Sequence, residues 1–144
     1  MEELSLSIEF PAAETRAHAL YQGESMSDVV IIELIRKFEN CEMLINSQNL
    51  FSKNEELDDF STISLQYLAI HYYIAKTSMQ IKNLLIRKKY LESAEQYYTS
   101  FLKLCESFKL FKDETFSYTP NVSHSYSLML YIYTIISYTS PVIW

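Results

Sequence analysis

An all-α fold, an antiparallel helical bundle or α-solenoid, is what this sequence predicts. Two observations carry the prediction. The 144 residues include one glycine and three prolines, too few turn-formers for a hairpin-rich β fold. Three long stretches also place apolar residues at steps of three and four, the period of one helix face.

A first helix is predicted over 4–21, with an interruption near Pro11 and a stop at Gly23. Ser27 or Asp28 caps a second, whose stripe is Ile31, Leu34, Phe38, Cys41 and Ile45. A third stripe runs Leu65, Leu68, Tyr72, Ala75 and Met79, and a fourth Leu91, Ala94, Tyr98, Phe101, Cys105 and Phe108. Burial is what that spacing serves, so the tyrosines, Met79 and both cysteines read as core. His71 adjoins the third stripe and reads as a core or boundary histidine, because no carboxylate or hydroxyl stands at a fixed helical step from it with an apolar pocket implied. The run Arg87-Lys88-Lys89 reads as a solvated helix face, or else as a patch for a partner.

Between the second and third helices lies "LFSKNEELDDFSTISLQYL", residues 50–68. Ser52 and Glu55 stand in capping-box order, and Leu50 and Phe51 precede them as a hydrophobic staple. Glu55, Glu56, Asp58 and Asp59 crowd the approach to the third helix, where Ser61 or Thr62 provides a cap and the carboxylates favour the positive helix end. The stretch therefore predicts an ordered elbow. Carboxylates used in acid–base chemistry need a cleft and polar partners, which this pattern does not supply.

The chain reads as a non-enzyme without cofactor or metal. It has no P-loop, dinucleotide fingerprint, H-E-x-x-H or G-x-S-x-G, and its two cysteines and three histidines are scattered. A net charge of -6 argues against general nucleic-acid binding. The acidic N-terminus is no secretory signal, so a reducing cytoplasmic setting is expected.

Composition changes near residue 115. Every Asp, Glu, Lys and Arg lies at or before Glu114, and five of the twelve tyrosines follow it. Residues 1–115 are therefore taken as a helical domain and 116–144 as an uncharged apolar tail. Three readings of 126–144 compete: an aberrant C-terminus from splicing or a wrongly drawn gene, an element packed on the bundle, or a membrane anchor. The last is the only route to a membrane, and it makes a tail-anchored or membrane-associated helical protein the rival reading.

The stretch "LFSKNEELDDFSTISLQYLAIHYYIA" resembles the signature of the TAP-type phosphatase-associated family, called alpha-four or immunoglobulin-binding-protein-one in animals. The residues that carry the resemblance are Leu50, Phe51, Ser52, Asn54, Glu55, Ser61, Thr62, Tyr67 and Leu68. "RKKYLESAEQYYTSFLKLCESFKLF" resembles the family's next helix, so the likeness spans roughly 25–112. It implies a TPR-like or 14-3-3-like all-α domain, here in truncated form. It also implies an adaptor that binds and protects catalytic subunits of type 2A protein phosphatases downstream of TOR kinase. The family's principal phosphatase contacts are basic residues on later helices, where this sequence has no Lys or Arg. No contact residue carries over from there, and Arg87, Lys88 and Lys89 are the candidate contacts within the matched region.

Overall fold

The computed structural model describes residues 5–51 and 66–107. They form α1 (Leu6–Tyr21), α2 (Asp28–Ser47), a 3-10 turn (Gln66–Ala69), α3 (Ile70–Ser78) and α4 (Leu84–Ser107). Neighbours in sequence pack as neighbours in space, α1 on α2, α2 on α3 and α3 on α4. Contacts between α2 and α3 run in opposite order, Phe38 meeting Tyr73 and Glu42 meeting His71. The helices thus alternate in direction, the antiparallel all-α arrangement expected.

Helix α1 is not interrupted at Pro11, contrary to the sequence expectation. A proline inside a helix costs about 3 kcal/mol. Pro11 and Ser7 are exposed, however, so the carbonyl deprived of its usual N–H donor faces water. The opposite face buries Leu6, Phe10, Ala13 and Ala17. Burying one large apolar side chain gives about 1.5–3 kcal/mol, so the packed face outweighs the proline.

Both α1 and α2 end in the same way. Gly23 has φ 104°, and its N–H donates to the Leu20 carbonyl at 3.1 Å while that of Glu24 donates to Ala19 at 3.0 Å. Asn49 takes the matching place after α2 with φ 50°. There Asn49 N–H donates to Asn46 at 3.1 Å and Leu50 N–H to Ile45 at 3.3 Å. These paired bonds satisfy carbonyls that a helix end otherwise leaves open. Leu50, read from sequence as part of a staple for the next element, thus also closes α2 and packs on the core.

The predicted stripe of α2 is buried in full, with Ile35 added. Its Ser27 cap accepts from Val30 N–H at 3.4 Å. At the centre, Phe38 stacks on Tyr73 with ring centroids 5.2 Å apart. Phe10 meets Phe38, Tyr67 and Tyr73 edge-on. Four aromatic rings thus join α1, α2, the 3-10 turn and α3. Such pairs add about 0.5–1.5 kcal/mol each beyond their burial.

In α4, Ala94, Phe101 and Cys105 are buried as expected and Tyr98 is half-buried. Leu91 is a correction: it is exposed, while its neighbour Tyr90 and Ile86 one turn earlier pack against the core. Tyr72 of α3 lies level with Tyr98 and Phe101, which leaves the first turns of α4 running on past the end of α3. Leu65, Phe108 and the tail 116–144 lie outside the described residues.

Candidate partner-binding surface

The family-signature residues divide. Tyr67 and Leu68 are buried and Leu50 and Phe51 half-buried against the core. Ser52, Asn54, Glu55, Ser61 and Thr62, with the capping box and the acidic cluster, lie outside the described residues.

The basic run sits on the first two turns of α4, and its three members differ. Arg87 is half-buried and its guanidinium donates to the carbonyls of Met79, at 3.0 Å, and Ile81. It thereby fastens α4 to the chain leaving α3. Lys88 and Lys89 are exposed, and the Lys89 ammonium stands 6.0 Å from the Tyr90 ring centre. Leu84 and Leu85, beside them, are also exposed. Sequence reasoning named the three basic residues and passed over both leucines, although the "LL" before "IRKK" was its visible signal.

Three side chains fix the base of this surface. The Asp28 carboxylate accepts from Lys82 N–H at 3.0 Å and Asn83 N–H at 2.8 Å, and those bonds hold its carboxyl below the usual carboxylate range. Asn83 Oδ1 accepts from Leu85 N–H at 2.9 Å, capping α4. The Lys82 ammonium reaches the Met26 carbonyl. The start of α4 is therefore tied to the start of α2.

A second polar set lies between α1 and α3. Tyr73 donates its hydroxyl to Glu14 Oε2 at 2.8 Å and lies 3.4 Å from His18 Nε2. The Tyr21 and Thr77 hydroxyls are 2.9 Å apart, and Lys76 sits 4.3 Å from the Tyr21 ring centre. Burial holds the Tyr73 hydroxyl far above its ordinary pKa and His18 below its own. A carboxylate, phenol and imidazole in line can relay protons. Tyr73 is 1 % exposed and His18 8 %, and the set ties α1 to α3.

His71 occupies the boundary position expected, but its carboxylate partner comes from another helix. Glu42 of α2 meets His71 Nε2 at 2.8 Å, and the edge of Tyr97 of α4 completes the contact. Cys41 and Cys105 are free and buried. Burial pushes their thiols up to about 11 and about 12, so neither offers a reactive thiolate at neutral pH.

Among the described residues no helix is long and apolar enough to cross a membrane. None of their His, Cys, Asp and Glu side chains gathers into a metal-binding group.

A model of the TAP42-like family matches residues 8–129, running past the composition boundary at 115. The PP2A regulatory subunit TAP46 of Arabidopsis thaliana is 31% identical over 117 residues, 79% of this chain and 28% of that protein. Its counterpart in Oryza sativa subsp. japonica is 26% identical over 116 residues, 78% of this chain and 28% of that protein. Type 2A phosphatase-associated protein 42 of Saccharomyces cerevisiae is 29% identical over 127 residues, 74% of this chain and 32% of that protein. The chain therefore spans less than a third of the length of these relatives.

Proposed function

The chain belongs to the TAP42-like family, and from that premise we propose that it is a non-enzymatic adaptor for the catalytic subunit of type 2A-like protein phosphatases, acting in the cytoplasm within TOR signalling. The observation that supports this most is the joint one: the family match covers residues 8–129, and the matched residues that are described build a packed helical bundle. The relatives are named as regulatory or associated proteins of that phosphatase class. The mechanism proposed is steric and electrostatic. A helical surface occupies one side of the catalytic subunit and keeps it from its scaffold, without bond-making by the adaptor.

Lys88 and Lys89 are the proposed contacts, being exposed cations on one face of α4. Arg87 contributes by holding that face in place through Met79 and Ile81. The test is co-precipitation of the purified chain with a type 2A catalytic subunit, alongside Lys88→Glu/Lys89→Glu. Binding by the chain and its loss in the variant are expected. Equal capture of both proteins removes the two lysines as contacts, and capture of neither removes the phosphatase reading.

A further inference from the structure

Leu84 is 84 % exposed and Leu85 92 % exposed. Single exposed leucines are ordinary on protein surfaces. Two in succession, opening the first turn of a helix and followed one turn later by two exposed lysines, are not explained by the packing of this bundle. Residue 84 lies one helical turn from 88 and 85 one turn from 89, so the four make two adjacent rows of one leucine and one lysine each, over about 140° of the helix circumference. The backbone under them is fixed by the Asn83 cap, by Asp28 bonded to Lys82 and Asn83, and by Arg87 bonded to Met79 and Ile81. The face is thus held in shape before anything binds it, which lowers the ordering cost of binding.

We infer that Leu84, Leu85, Lys88 and Lys89 form a docking surface for a short acidic segment of a partner protein, with apolar side chains between its carboxylates. The lysines supply the charge complement, and the leucines supply apolar contact that a purely ionic patch lacks. Size points to a short segment. The four residues span under one and a half helical turns, about 7.5 Å along the axis, whereas a stable interface between two copies buries on the order of 1,200–2,000 Å². Charge points away from an anionic bilayer. The whole chain carries -6, so a broad anionic plane is repelled where a narrow segment meets only the lysines. This deepens the phosphatase reading, since it uses the same lysines, yet it does not require the partner to be a phosphatase.

A labelled peptide with the sequence of residues 54–60, NEELDDF, has the stated chemistry and serves as the probe. Fluorescence anisotropy with the full chain is expected to show saturable binding. Leu84→Ser/Leu85→Ser and Lys88→Glu/Lys89→Glu should each weaken it by roughly tenfold to a hundredfold. Arg36→Glu/Lys37→Glu, at an exposed basic pair on α2, should leave it unchanged. All these positions are exposed, and circular dichroism checks that each variant folds. No binding, or equal loss in the α2 variant, overturns the inference. So does binding of phosphatidylserine vesicles in preference to the peptide, or self-association abolished by the leucine changes. The same variants mixed with a type 2A catalytic subunit separate the two readings. Peptide binding without phosphatase binding overturns only the phosphatase reading. Phosphatase binding with no peptide binding overturns only the inference.

Discussion

Asp28 is a single carboxylate on which two elements depend, since it accepts from the backbone of Lys82 and Asn83. Those bonds lower its folded pKa. Its contribution to stability is therefore complete above the unfolded value near ~3.9 and is lost as pH falls through the lower folded one. Asp28→Asn is expected to melt below the native chain at pH 7, and the gap should narrow as melts are taken at progressively lower pH below 4. Gly23 gives a cleaner backbone test. Its φ is 104° and an added methyl group meets no atom within 4 Å, so Gly23→Ala should cost about 1–2 kcal/mol from conformation alone, read by urea denaturation. Tyr73→Phe keeps the stack on Phe38 and deletes the hydroxyl that Glu14 accepts from. A loss of about 1–2 kcal/mol is expected by the same method. Of these residues, Gly23 alone was legible in the sequence as a helix stop. Asp28 was visible as a cap but not as a link across 54 positions, and Glu42 could not be matched to His71. Such pairs depend on which helices lie side by side, and periodicity within one helix carries no such information.

The elements were more readable than the residues. Stripes at three- and four-residue steps located α2, α3 and the second half of α4, because burial on one face demands that pattern. The fourth stripe misplaced Leu91, and the break expected at Pro11 came from the proline itself. Both errors concern what stands opposite a helix: Tyr90 and Ile86 rather than Leu91 meet the core in the first half of α4, and the packed face of α1 holds the helix through its proline. Helix α4 accordingly has two halves. Residues 84–93 meet the core only through half-buried side chains, Ile86 and Tyr90, whereas Ala94, Phe101, Leu102 and Cys105 are fully buried. Amide hydrogen exchange measured by mass spectrometry should be markedly faster over 84–91 than over 94–105. Equal protection along α4 would mean that the Asn83 cap and the Arg87 bonds hold its first turns as firmly as full burial holds the rest. Asn83→Ala should speed exchange in that first half further, since it removes the cap, worth about 1 kcal/mol.

At the scale of the molecule, the composition excluded β architecture and left an antiparallel helical protein, and the signature around Leu50, Phe51, Tyr67 and Leu68 pointed to its family. Tyr67 lies in the core, Leu50 and Phe51 pack half-buried against it and Leu68 is buried, so the signature's described part contributes to the packing of the bundle. The candidate surface was half legible. Its lysines stood out as a charge run, while Leu84 and Leu85 passed unremarked because a helical apolar residue defaults to core until its facing element is known. The chain spans under a third of its relatives, which makes partner binding the central question. Calorimetric titration of a purified type 2A catalytic subunit with the full chain addresses it most directly. Saturable binding at a one-to-one ratio, weakened by Lys88→Glu/Lys89→Glu, is the result expected; a folded chain that evolves no binding heat and forms no complex on a sizing column would contradict it.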